Sequence, residues 1–322
     1  ELDLDLSIPL RTPDRKISVK GDLNLTDSIL KSDLPHLNFT DVSGTVSFTN
    51  DSLTARGLDA KLNGYNVIMD IVGNKSDSEI PAIISIYGES DNQFIVDQIA
   101  EYFPNTGIFT DSIMEMISGK TNWKASITYK NDNEKQILSR SLNINSDLRG
   151  LDMNLPAPLG KNNYELVNLN IDKELDSETN QGIKLKYESM ISTDLEMQLQ
   201  ENNKNGGILL SGTVDSLSID DWLDFFNEKK ISLKNSSDKT IFNTDLLINN
   251  LIVTGMTFHN TSLKLTKNEV NLDLTIDGDS AAGTIKIPSS NNIMDSIVAD
   301  FKFLYLEKNK DIAGKSLNPV DI

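Results

Sequence analysis

Cysteine is absent from the 322 residues, and histidine occurs only at His36 and His259. The chain can therefore form neither disulfides nor thiolate metal sites. A catalytic or metal-binding histidine needs partner groups, and these two histidines stand in separate sequence contexts, so ordinary hydrogen bonding is favoured for both. No phosphate-binding glycine loop, nucleophile elbow or His-Glu-x-x-His pattern occurs. The sequence predicts no catalytic residue, no metal site and no cofactor.

Basic residues are also scarce, since 30 Lys and Arg stand against 48 Asp and Glu, for a net charge of −18. This balance argues against nucleic acid as a partner and against adhesion to an anionic membrane through a basic face. No stretch approaches the roughly 20 consecutive apolar residues of a membrane span, and no signal peptide opens the chain. Because the predicted structure is interrupted at both ends of the sequence, we expect the chain to be a segment of a longer protein.

The pattern that is present is alternation of apolar and polar residues, which recurs along most of the chain between Gly, Asn, Asp and Ser turns. Period two is typical of strands with one buried and one polar face. Three short helices are predicted among the strands, starting at Ser90 or Asp91, at Thr110 or Asp111, and at Asp220. We therefore predict a mainly β protein, a long twisted antiparallel sheet with three short helices.

Alternation also selects the residues of the apolar face. With so little helix to cover it, such a sheet must pair with a second sheet, close on itself, or hold something apolar in a curved face. The sequence pattern alone favours neither a sealed sandwich or barrel core nor an open groove over the other. The candidate face residues are Leu4, Leu6, Val19, Leu23, Val46, Phe48, Val67, Met69, Ile127, Ile144, Leu185, Tyr187, Met197, Leu199, Leu263, Leu265, Leu272, Leu274 and Ile276.

The most specific stretch runs from residue 146 to residue 161, SDLRGLDMNLPAPLGK. Its two prolines remove backbone donors and fix φ, so it cannot continue as an interior strand, and we read it as an extended crossing that turns at its last glycine. This wording resembles the signature of the YhdP branch of the AsmA-like envelope proteins of Gram-negative bacteria. Segments 119–125, 217–223, 280–288 and 317–319 resemble further blocks of that family in the same order, so the similarity covers most of the chain. The motif residues are Leu148, Arg149, Gly150, Leu155, Pro156, Pro158, Gly160 and Lys161.

The resemblance implies a long sheet folded into an open hydrophobic groove in the periplasm. In the family, the full-length protein is anchored in the inner membrane and is implicated in moving phospholipids towards the outer membrane. The apolar face would then be a lipid-facing groove whose partners are phospholipid acyl chains, with no catalysis. Interchangeable apolar side chains without a cationic clamp would suit such transport. An inner-membrane contact through an N-terminal anchor outside this chain is also expected, while the outer-membrane or envelope-protein partner at the far end is unknown.

The motif residues themselves are expected to be structural. Lys161 would bond a nearby carbonyl or acid or be solvated, and Gly160 would be needed if its φ is positive. We expect one elongated β-groove segment over residues 1–322, with sub-segments 1–89 (meander), 90–118 (helical insertion) and 119–322 (signature-bearing groove). Two alternatives stay open: a structural or adhesive β-rod with a sealed core, and a carbohydrate-active β-protein. The aromatic content of 6% weighs against the second.

Overall fold

The chain forms one very long β-sheet. The computed structural model describes residues 1–7, 17–33, 36–75, 78–91, 93–94, 116–132, 137–175, 183–189, 193–200, 207–228, 241–267, 271–288 and 298–305. The first eight strands are β1 (Leu2–Ser7), β2 (Ser18–Asp33), β3 (His36–Thr49), β4 (Leu53–Leu62), β5 (Tyr65–Gly73), β6 (Ala82–Asp91), β7 (Ile117–Asp132) and β8 (Ile137–Ser146).

The second half continues the sheet and contains the helix α1 (Ile219–Glu228). Its strands are β9 (Leu151–Met153), β10 (Val167–Glu174), β11 (Ile183–Ser189), β12 (Thr193–Gln200), β13 (Gly207–Ser218), β14 (Ile241–Val253), β15 (Met256–Lys267), β16 (Asn271–Asp277), β17 (Ala281–Pro288) and β18 (Val298–Leu304).

Strand order follows the chain almost without exception. β1 to β8 pair in sequence, β8 pairs with β10, and β10 to β18 again pair in sequence. The short β9 lies outside this series and pairs with the start of β7. Among the described strands β1 and β18 each have one neighbour, so the sheet stays open. The prediction of a mainly β protein with one long open curved sheet is confirmed.

Two details of the predicted fold are wrong. The sheet is not wholly antiparallel, because β13 and β14 pair in parallel, and α1 is part of the connection that this geometry requires. The described residues support one short helix rather than three. Gln93 and Phe94 are helical, and the rest of the two segments predicted as the other helices, residues 95–115, lies outside the described residues.

Register shifts curve the first strands. They occur within the β2–β3 pair, the β3–β4 pair and the β4–β5 pair, and left-handed residues such as Asp27 and Asp41 lie at these places. A bulge bends a strand and increases its twist, and the buried side chains of this curved sheet lie on its apolar side. We call that side the inner face and the polar side the outer face.

Buried side chains form two clusters on this sheet. The first includes Phe39, Leu58 and Met69 and extends across β3 to β8. The second includes Leu151, Leu195 and Ile248 and extends from the 148–151 segment across β10 to β16. The division of the chain into three sub-segments stays a prediction.

Candidate functional site

The inner face carries an unbroken line of cross-strand neighbours, which we call the central row. Its members face one another pair by pair through the register of β4 to β8 and β10 to β18. Every member is apolar except one threonine. The row consists of Leu58, Met69, Ile86, Ala125, Ile144, Ile171, Leu185, Met197, Leu210, Thr244, Leu265, Leu274, Ile285 and Ala299.

The residues predicted for the apolar face do share this face through alternation and register, but their burial differs. Val46, Val67, Met69, Ile127, Tyr187 and Leu263 are buried. Val19, Phe48, Ile144, Leu185, Met197, Leu265, Leu272, Leu274 and Ile276 are half-buried. Leu4, Leu6 and Leu23, in the first two strands, are exposed, and the side chain of Leu199 lies outside the described residues. That these residues face lipid stays a prediction.

Three covering segments leave the sheet at the same ends of its strands, which we call the covered rim. β6 ends there before Phe94, β8 ends there before residues 147–166, and β13 ends there before α1. Buried hydroxyls line this rim, with Ser90, Thr121, Thr193 and Thr261 each at most 5% exposed. The three segments therefore all leave the sheet at one rim.

Phe94 forms the first cover. Its ring stacks on Trp123 at 5.7 Å between centroids and meets Tyr65 edge-on at 4.9 Å. The Trp123 indole donates to Ser90 Oγ at 2.6 Å, and the Phe94 amide donates to Asp91 Oδ1 at 3.2 Å. These contacts fix an aromatic stack over β5 to β7, where the first buried cluster lies.

The motif segment forms the second cover, and Lys161 holds it together. Lys161 is 5% exposed and its Nζ donates to the carbonyl oxygens of Leu148 at 2.9 Å and Leu151 at 2.6 Å. Burial lowers the pKa of Lys161, and Glu165, Asp152 and Asp147 act in the opposite direction. Of the possibilities left open for Lys161, the structure shows bonding to carbonyls, and the solvated lysine is wrong.

The backbone of the motif explains its glycines and corrects one expectation. Gly150 has a φ of +94°, a region that favours glycine. Gly160 does not lie in that region. It is required by space instead, because a Cβ there would lie 2.0 Å from the carbonyl oxygen of Leu155. The remaining motif residues divide into the half-buried Leu155, Pro156 and Pro158, the exposed Arg149, and the buried Leu148, whose φ is +49°.

Two side chains tie the motif segment to the sheet and to α1. Tyr187 Oη donates to the Leu159 carbonyl at 3.0 Å, and Trp222 Nε1 donates to the Ala157 carbonyl at 2.8 Å. Burial raises the pKa of Tyr187 to about 12, and the negative charge of Glu165 makes a smaller contribution in the same direction. Helix α1 is in turn capped by Ser218, whose Oγ accepts from the Asp221 amide at 3.1 Å. The predicted cap, Asp220, instead accepts from the amides of the turn at residues 254 and 255.

Sequence reasoning missed the charged residues of the inner face. Alternation places Arg140, Lys173 and Lys267 there, two residues beyond Leu142, Ile171 and Leu265 respectively. The signal was available, because each continues an apolar period-two run by one more step. The expectation of interchangeable apolar side chains without a cationic clamp took no account of these three cations, and it stays a prediction.

Comparisons with known proteins point to one family. Within the described part of the chain no helix is long and apolar enough to span a membrane, and no group of His, Cys, Asp and Glu is arranged to hold a metal ion. No curated protein and no solved structure matches the chain. The family described as "YhdP protein" matches over residues 1–320. Because this match spans almost the whole sequence, the chain belongs to the YhdP family.

Proposed function

We propose that this chain is a segment of a groove that conducts phospholipids between the inner and outer membranes through the periplasm, without catalysis. The central row carries the proposal. It crosses fourteen strands, and over the last ten of them (β8 and β10 to β18) its members are half-buried or exposed, which at about 4.8 Å per strand corresponds to roughly 43 Å of accessible, mainly apolar surface along the sheet. Family membership and the open sheet support a role of this kind.

The energetics suit movement along the row. Each methylene removed from water contributes about 0.8 kcal/mol, so contact with many Leu, Ile, Val and Met side chains can offset the cost of extracting a lipid from a bilayer. Because the half-buried positions of the row are chemically similar, an acyl chain meets nearly equal environments from one of these strands to the next. Such a surface holds a lipid without fixing it at one place.

The alternatives receive less support. A carbohydrate-active site would need a pair of acids beside an aromatic platform, whereas the inner-face positions of the described strands carry neither Asp nor Glu. A sealed rod would need a second layer over the whole inner face. Leu185, Met197, Leu265 and Leu274 are only half-buried, which favours a surface with access for a ligand.

Photo-crosslinking in cells tests the proposal at two neighbouring pairs. Leu185 faces Met197 on the inner face, and Lys184 faces Gln198 on the outer face of the same two strands. A crosslinking amino acid at Leu185 or Met197 should capture phospholipid, and the same group at Lys184 or Gln198 should capture much less. Equal capture from both pairs would contradict a one-sided groove, and capture from neither pair would contradict lipid conduction by this surface.

A further inference from the structure

The inner face has a charge distribution unlike the rest of the molecule. Although acids outnumber bases by 48 to 30, alternation turns the strand acids outward, as with Asp172 and Glu174 on β10. In the described strands the charged residues that alternation leaves on the inner face are all cations, Arg140, Lys173 and Lys267. Because the described strands place cations and no acids on the inner face of this acidic chain, the local electrostatic potential there favours the binding of an anion.

The three cations also share one end of the strands. Lys173 faces Leu142, and Arg140 faces Tyr129 one step further from the covered rim. Lys267 faces Leu272 at the same level of the sheet, five strands from β10. The central row thus runs between hydroxyls and covering segments at one rim and cations at the other, which we call the basic rim.

Arg140 and Lys173 stand close enough to act together. The Leu175 amide donates to the Arg140 carbonyl at 2.8 Å, so Arg140 and Lys173 are diagonal neighbours on adjacent strands. Diagonal neighbours on one face are about 7–8 Å apart at their Cα atoms, within the reach of two long side chains. Each also has an interaction partner within the chain, so an incoming anion would add to the existing interactions of both residues.

We propose, on the basis of the function proposed above, that Arg140 and Lys173 bind the phosphate of a phospholipid headgroup while the acyl chains of the lipid lie on the central row. The guanidinium can donate two parallel hydrogen bonds to phosphate oxygens, and the ammonium adds a point charge. The aliphatic stems of both residues continue the apolar surface of Leu142 and Tyr129. Lys267 offers a similar charge about 24 Å along the same rim, at five strand spacings. Lipids therefore lie with their headgroups at the basic rim and their tails directed towards the covered rim.

The test compares two labelled lipids with identical acyl chains, phosphatidylglycerol and diacylglycerol, which lacks the phosphate. The purified chain should bind phosphatidylglycerol at least tenfold more tightly than diacylglycerol, and this preference should weaken with salt. In Arg140→Gln with Lys173→Gln the preference should fall to within about twofold, while diacylglycerol binding stays unchanged. The control is Lys124→Gln with Lys186→Gln, which removes the same charge from the outer face and should keep the preference.

The outcomes separate the inference from the proposed function. If the parent binds neither lipid, lipid conduction itself fails. If it binds both lipids equally, or if the inner-face variant keeps the preference, the apolar groove stands and the headgroup site is wrong. If glycerol phosphate without tails competes as well as the lipid does, the cations serve a soluble anion and the headgroup site is again overturned. Equal circular-dichroism spectra of the variants and the parent establish that all three proteins are folded.

Discussion

The side chains of the central row are almost all apolar from β4 to β18, but those in the first half of the row are more deeply buried than those in the second half. In β4 to β6, Leu58, Met69 and Ile86 are at most 1% exposed, beside the stack of Phe94 on Trp123. In β11, β12, β15 and β16, the corresponding leucines and methionine are half-buried. The same alternation therefore gives fully buried side chains in one half of the row and half-buried side chains in the other.

The largest expected effect comes from placing a carboxylate in each half. Met69→Asp should cost several kcal/mol and unfold the chain or nearly so, because it buries an unpaired charge at a position with 0% exposure. Leu272→Asp with Leu274→Asp should cost nearer 1 kcal/mol per site and should melt cooperatively a little below the parent, while retaining little lipid. Denaturant melts of both variants measure the difference.

The control for this comparison is Asp273→Lys, which changes the outer face of the same strand and should retain lipid. Outright unfolding of the Leu272 and Leu274 double variant would show that the second half is sealed like the first. Undiminished lipid retention in that variant would remove β16 from the groove.

A smaller effect is expected from breaking the motif cover at Gly160. Gly160→Val should cost about 3 kcal/mol or more, because even its Cβ would collide with the Leu155 carbonyl. Gly160→Ala introduces the same Cβ and should cost a similar amount, which separates a backbone collision from the bulk of valine. Thermal melts measure both variants, and a parent-like melting temperature for either would show that the segment can shift to make room.

Removing the hydrogen bonds of Lys161 should destabilise the protein less than the backbone collision at Gly160. Lys161→Met keeps much of the aliphatic stem but removes both hydrogen bonds to the Leu148 and Leu151 carbonyls, and we expect a loss of about 1–3 kcal/mol. Hydrogen exchange of peptides covering residues 148–166 should accelerate before that of β5 and β6. Arg149→Met, at an exposed position, is the control and should change neither measurement. Unchanged exchange in Lys161→Met would mean that packing alone holds the cover.

The smallest effect is expected from removing the Tyr187 hydroxyl, which connects β11 to the motif segment. At neutral pH Tyr187→Phe should cost about 1 kcal/mol through loss of the bond to the Leu159 carbonyl. The pKa of Tyr187 is raised to about 12, so its contribution is complete below the ordinary tyrosine value near 10 and is lost as pH rises through 12. The stability gap between parent and variant should therefore shrink in that window. The lowered pKa of Lys161 acts in the opposite direction but is common to both proteins, so the difference isolates Tyr187. A gap independent of pH would contradict this assignment.

Much of the candidate site could be predicted because alternation is a local property. Leu185, Met197 and Leu274 could be assigned to one face from their own strands, since side chains of a strand alternate whatever its neighbours are. Lys173 and Arg140 obey the same rule and were missed only because the apolar runs were ended too early. The sequence predicts a need for Gly160 only if its φ is positive, whereas the structure shows a different reason, the close approach of the Leu155 carbonyl.

The sequence by itself determined the β-sheet, its two-faced character, the rigid motif and the family, because each depends on neighbouring residues or on literal wording. The tertiary structure decided the parallel pairing of β13 with β14, the burial of Lys161 between two carbonyls, and the gathering of all covers at one rim with the cations at the other. These features join residues that are distant in sequence, as Trp222 and Ala157 are, 65 positions apart. Only the assembled register brings such residues together, and so only the fold separates fully buried apolar positions from accessible ones.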